Sequence, residues 1–150
     1  EAALRSAYFM LNGKNLEGDA INFRAVRGLD GIKEAKVEVA PGVTLNVAVC
    51  SGLGNARKVL NMVRKEPGRF QAVEIMACPG GCINGGGQPF LHGHADLLEQ
   101  RMKGLYTEDE QKTLRMSHEN PDIQKLYAEF LGTPGSEKSH HLLHTVYHEK

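Results

Sequence analysis

Tryptophan is absent, aromatic residues make up only 6% of the chain, and eighteen basic residues are matched by eighteen acidic ones. A balanced charge lacks the basic footprint that holds nucleic-acid phosphates, so no nucleic-acid partner is expected and an anionic membrane surface is equally disfavoured. No apolar run approaches the ~20 residues that cross a bilayer, so no membrane span is expected. The opening residues, Glu1-Ala2-Ala3-Leu4-Arg5, show neither an initiator methionine nor a signal-peptide pattern, and the chain is expected to be cut from something longer. Internal repeats and low-complexity stretches are missing as well. Three cysteines, Cys50, Cys78 and Cys82, are too few and odd in number for a disulfide framework. In 150 residues, enough for one core, they suit a reducing compartment with metal or redox chemistry.

What is present reads as an α/β pattern. Ala2, Leu4, Ala7, Tyr8 and Leu11 recur at helical spacing, with Asn12-Gly13 as a C-cap. Alternation over Lys36 to Ala40 and Val43 to Cys50, around a Pro41-Gly42 turn, predicts a hairpin. Asn55 is expected to cap a helix through about Lys65, stopped by Pro67-Gly68, and Phe70 to Met76 is expected to be a buried strand completing a β-α-β unit. The last third is helical. Thr107 and Glu110 form a capping-box pattern, Asn120-Pro121 starts a further helix that Gly132-Thr133-Pro134-Gly135 ends, and Ser139 is expected to start a final one. The expected fold is a mixed α/β sheet with a β-α-β unit, a cluster loop at a strand's carboxyl end and a helical tail. That strand end is where open α/β sheets place their ligand sites.

The segment Met76 to Pro89, MACPGGCINGGGQP, sets two of the three cysteines among five of the seventeen glycines. Cys78 and Cys82 lie four positions apart across Pro79-Gly80-Gly81, compact enough to aim both sulfurs inward. Glycines at Gly80 and Gly81 turn the chain through positive φ and let backbone N–H groups approach a bulky inorganic anion such as an iron–sulfur cluster. The second run, Gly85-Gly86-Gly87, implies close backbone passage beyond Cys82, where the Gln88 side chain is a candidate donor and Pro89 stiffens the exit. A 4Fe–4S cubane takes about four thiolates and this loop supplies two. Cys50 is a candidate third, although a cysteine at a strand end is more often a small buried hydrophobe, so ligands from outside the chain are expected.

The stretch EIMACPGGC followed by INGGGQP resembles the last of three signature motifs of the iron-only (FeFe) hydrogenases. The likeness extends over EAALRSAY, VRGLDGIKEA, NARKVL, SHENPDIQKLYAEFLG and SHHLLHTVY, similar to the family's carboxyl-terminal half and to the region some members carry as a small subunit. The resemblance implies residues 1–106 as the carboxyl-terminal half of the catalytic domain and residues 107–150 as a small-subunit-like helical arm packed on it. In the family a 4Fe–4S cubane is joined through one cysteine sulfur to a two-iron subcluster bearing carbonyl, cyanide and azadithiolate, together the H-cluster. By matching positions, Cys78 is implied as a cubane ligand and Cys82 as the ligand that also bridges to the two-iron unit. Met76 is implied as its apolar, non-ligating neighbour, and Gly80, Gly81 and Gln88 line it. From the residues alone, Met76 is better read as an ordinary core methionine.

The two upstream signature motifs, with the other cubane cysteines, the proton-relay cysteine and a cyanide-contacting lysine, are not among these residues, and no catalytic residue is assigned. The resemblance therefore implies reversible conversion of protons and electrons to dihydrogen only with an amino-terminal portion. Maturation proteins and a ferredoxin or other redox module are the further implied partners, and the cytoplasm is the implied compartment, with the periplasm as its alternative. Two other readings stand beside it: a non-enzymatic, hydrogenase-like iron–sulfur assembly factor, and a zinc-stabilised module using Cys78, Cys82 and tail histidines. His140, His141, His144 and His148 have i, i+4 pairs suited to chelation but are more simply solvent-facing. Ser51-Gly52-Leu53-Gly54-Asn55 lacks a Walker lysine and reads as a strand-to-helix turn, and Ser117-His118-Glu119 reads as local capping.

Overall fold

The computed structural model describes residues 1–148, which fall into two compact units, one essentially residues 3–112 and the other running on from Thr113. In the first unit, helix α1 (Ala2–Asn12) ends on Gly13 in the left-handed region at φ 67°, its N–H returning to the Phe9 carbonyl. Strands β1 (Ile32–Ala40) and β2 (Val43–Ser51) form the antiparallel hairpin, with a bulge between Glu38 and Ala40 before the Pro41-Gly42 turn. Helix α2 (Leu53–Lys65) then leads to β3 (Ala72–Met76), which pairs parallel to β2. The sheet order is β1-β2-β3, a mixed sheet as expected.

Alternation along the strands divides the core between the two faces. Ala35, Val37, Val39 and Val47 form one buried cluster, on which Leu4 of α1 packs with Phe23 and Val26. Ala48 and Cys50 face the other way and bury against Ala56 and Val59 of α2. The Asn12 side chain ties α1 to β1 by donating to the Val39 carbonyl.

Several boundaries differ from expectation. Asn55 does not cap α2; Gly52 stands at that position, and the Asn55 side-chain nitrogen instead donates to the Ser51 carbonyl at 2.8 Å. Strand β3 starts at Ala72 and is not buried: Val73 and Ile75 are 37% and 44% exposed. The Thr107/Glu110 pattern starts no helix, because both residues lie within the continuous helix α3 (Asp96–Gln111). Asp96 and Glu99 suit the positive end of that helix, and Glu110, in its last turn, pairs with Arg27 at 3.3 Å.

Arg5 is the main polar group in the first unit's interior. It is 4% exposed, grips both Asp109 oxygens at 3.0 and 2.9 Å, and reaches Glu1 at 2.9 Å and the Ile21 carbonyl at 3.1 Å. Arg27 also binds Glu1 and lies 4.3 Å from the Tyr106 ring. These contacts bind the chain start, the segment after α1 and the end of α3 together.

In the second unit a short turn over Ser117–Glu119 precedes helix α4 (Pro121–Leu126), whose first turn is capped by the Asn120 side chain accepting from the Asp122 N–H at 2.9 Å. A wide π-type turn, Tyr127–Leu131, closes on Gly132 at φ 79°. Helix α5 (Glu137–Leu143) is capped by Ser136, not started by Ser139, whose hydroxyl is buried one turn in and donates to the Ser136 carbonyl at 3.0 Å. No helix of the described residues is long and apolar enough to cross a membrane.

Replacing Arg5 by methionine keeps the stem and removes the fork, leaving Glu1 and Asp109 without it. Urea unfolding is expected to show a loss of about 2–4 kcal/mol, because breaking a buried charge pair strands its partners; a loss below the error of the extrapolation would refute this role.

Candidate metal centre

β3 delivers the cysteine loop from its carboxyl end. Ser51 lies opposite Met76 in the parallel register, and the Gly52 N–H donates to the Met76 carbonyl at 2.8 Å, holding the last strand residue to the neighbouring strand. Beyond Ala77, Cys78 to Gly81 form a type II turn. Pro79 takes the first corner, Gly80 the second at φ 78° and ψ −2°, and the Gly81 N–H closes the turn on the Cys78 carbonyl at 2.9 Å. The Gly80 N–H is bound at 3.3 Å by the Ser51 hydroxyl oxygen, and the Asn84 amide donates to the Pro79 carbonyl at 3.1 Å.

Gly81 follows at φ 75° and opens a 3₁₀ turn, Gly81–Asn84. A Cβ built on it would stand 2.6 Å from the Met76 sulfur, so Met76 occupies the space a side chain would need. Gly85 lies against the first thiol: its Cβ position is 3.7 Å from the Cys78 sulfur. Gly86 and Gly87 meet nothing within 4 Å of theirs, and Gln88 is exposed, its N–H donating to the Gly85 carbonyl at 3.2 Å. From α3, Arg101 donates to the carbonyls of Ile83 and Pro89 at 3.0 and 2.6 Å.

The three thiols are in different surroundings. Cys82 is exposed and Cys78 half-buried, whereas Cys50 is fully buried between the sheet and α2, where burial pushes its thiol pKa up. Among the described residues no three histidine, cysteine or acidic side chains converge as a metal-binding group. The His140 and His144 rings stack 4.6 Å apart in the second unit without a third donor joining them. The donor set is thus two accessible cysteine sulfurs on a glycine cradle, which suits a sulfur-rich cluster completed by other ligands.

Two residues of this site escaped sequence reading. Ser51 was legible only through the strand register, and Arg101 had no local signal, being separated from its two carbonyl partners by twelve and eighteen positions.

Residues 1–86 match the model of the iron only hydrogenase large subunit, C-terminal domain, and residues 95–150 that of the iron hydrogenase small subunit. The chain belongs to the iron-only hydrogenase large-subunit family. It is 52% identical over 150 residues, its whole length, to the NADP-reducing hydrogenase subunit HndD of Solidesulfovibrio fructosivorans, covering 25% of that protein. It is 40% identical over 120 residues, or 78% of the chain, to a probable cytosolic Fe-S cluster assembly factor of Drosophila ananassae, covering 24% of it. A solved FeFe hydrogenase, HydA1 of Chlamydomonas reinhardtii, superposes with a TM-score of 0.76 at 39% identity, over 97% of this chain and 43% of that one. This hydrogenase-family chain therefore spans about a quarter of the length of those curated relatives.

Two tests address the geometry without any metal. Iodoacetamide under native reducing conditions is expected to label Cys82 and Cys78 and to reach Cys50 only after denaturation; equal labelling of all three in a peptide mass map would contradict the burial. Gly81→Ala is expected to lower unfolding free energy by about 1–3 kcal/mol, from the left-handed backbone and the Met76 sulfur, whereas Gly86→Ala leaves it unchanged; melting curves of the two variants that coincide would refute the distinction.

Proposed function

We propose that this chain is the cluster-binding carboxyl-terminal part of an FeFe hydrogenase catalytic domain, acting in the reversible reduction of protons to dihydrogen together with an amino-terminal portion that supplies further ligands. The observation that carries the reading is the type II turn, which places Cys78 and Cys82 around two positive-φ glycines. It stands in a chain 52% identical to a hydrogenase subunit. Cys78 would hold the cubane, and Cys82 would hold it and join it to the two-iron unit. When bound, the H-cluster supplies the metal site for heterolytic hydrogen cleavage and the path for its electrons.

The chain's own residues bind, enclose and shape. Gly81 brings backbone against the Met76 thioether, which gives the loop an apolar, polarizable contact. Gly85 keeps the space beside the Cys78 sulfur free of a side chain, and the exposed Gly86-Gly87 backbone and the Gln88 side-chain amide offer N–H groups to acceptors such as cyanide nitrogens. Residues 107–150 would be the small-subunit-like arm. A ferredoxin or similar redox module and the maturation proteins are the other proposed partners, in the cytoplasm.

A second reading, a non-enzymatic iron–sulfur assembly factor carrying a cubane alone, is favoured by the 40% identity to the Drosophila protein. The Gly80-Gly81 pair, the triple glycine and the SHENP segment favour the hydrogenase.

Anaerobic native mass spectrometry and infrared spectroscopy of the matured, assembled protein separate the readings. The hydrogenase is expected to carry several irons with carbonyl and cyanide bands, both lost with turnover in Cys82→Ala. Iron without those bands supports the assembly factor, and zinc without iron would refute both.

A further inference from the structure

The run Gly85-Gly86-Gly87 has little of its own to hold it in one conformation. Glycine has the most backbone freedom to lose, and the hydrogen bonds within this stretch are long, 3.3 Å from the Gly85 N–H to the Cys82 carbonyl and 3.2 Å from the Gln88 N–H to the Gly85 carbonyl. Gly86, Gly87 and Gln88 are exposed. Yet Gly85 must stay beside the Cys78 sulfur, 3.7 Å from its own Cβ position, if that sulfur is to have a fixed neighbour.

One side chain grips both ends. The half-buried Arg101 sends one terminal nitrogen to the Ile83 carbonyl at 3.0 Å and the other to the Pro89 carbonyl at 2.6 Å. The two acceptors are the last residues but one on either side of the glycine run. Arg101 has no carboxylate partner among the described residues, so both arms of its charged fork serve the loop. It projects from a helix of 16 residues, a far stiffer base than the loop. A lysine, with a single ammonium point, has no planar fork to match two separated carbonyls.

We propose that Arg101 is a positioning residue that clamps the Ile83–Pro89 loop and so holds the glycine backbone in register with the Cys78 sulfur. The consequence for the cluster rests on the hydrogenase reading above; the clamp itself does not. In the full-length protein prepared without cluster, Arg101→Gln is expected to speed exchange of the loop's hydrogen-bonded amides, Gly85 and Gln88, about tenfold. Arg101→Lys should do so by less, and Gln100→Ala, a neighbouring change on the same helix, not at all. In the matured protein Arg101→Gln is expected to broaden and shift the cyanide infrared bands at unchanged iron content and melting temperature. Exchange equal to that of the wild type would overturn the clamp, and faster exchange with superimposable bands would overturn its positioning of the cluster site. Wild-type protein that takes up no iron would instead overturn the hydrogenase reading, with the exchange rates still deciding the clamp.

Discussion

The parallel pairing of β3 with β2 is the constraint on which the site depends. It ends with Ser51 opposite Met76, and three hydrogen bonds gather there: Ser51 N–H to the Gly31 carbonyl, Gly52 N–H to the Met76 carbonyl, and Gly80 N–H to the Ser51 hydroxyl. The cysteine turn therefore begins from a strand that cannot slide. A one-residue slip in register would reverse every β3 side chain, turning Met76 away from Gly81 and moving Cys78 off the strand end. The covalent path of β-α-β makes the pairing right for a ligand site, since loops at strand carboxyl ends in open α/β sheets gather over one edge.

Rigid elements hold what the glycines loosen. Five glycines within the fourteen residues from Met76 to Pro89 raise the entropy lost on ordering, yet Gly80, Gly81 and Gly87 stand at positive φ and a Cβ on Gly81 would collide with Met76. The structure answers with anchors drawn from outside the loop. Ser51 comes from β2, Met76 from β3 and Arg101 from α3, and each contacts the loop at a different place. The loop is thus determined less by its own sequence than by three elements whose packing is fixed elsewhere, by the two sheet-face clusters and the Arg5 network.

Legibility in the sequence follows from this division. Features determined by local chemistry were readable: Gly13 ending α1, Pro41-Gly42 turning the hairpin, Asn120-Pro121 opening α4, and Cys78-Pro79-Gly80-Gly81, whose proline and glycine already suggest a turn. Features determined by tertiary context were not. The Thr107/Glu110 pattern satisfies the capping rule yet lies inside α3, where Asp109 and Glu110 are engaged by arginines from distant chain positions. Asn55 has the chemistry of a cap, but its amide serves the Ser51 carbonyl and crowds Gly31, whose Cβ position lies 2.3 Å from it. β3 has the apolar composition of a buried strand, and composition alone cannot say which of its faces finds a neighbour.

The three cysteines show how far position outweighs residue type. Cys50 lies within the sheet, paired with Ile75, whereas Cys78 follows two residues beyond Met76, the end of β3. Strand pairing places the Cys50 sulfur on the face that α2 covers, where desolvation disfavours the thiolate that metal binding requires. Cys78 and Cys82 have left the sheet, and the turn leaves the first half-buried and the second exposed. Moving a thiol from the second-last residue of one strand to the loop after the next changes it from a core side chain into an accessible one. Two cysteines, not three, are therefore accessible as candidate ligands.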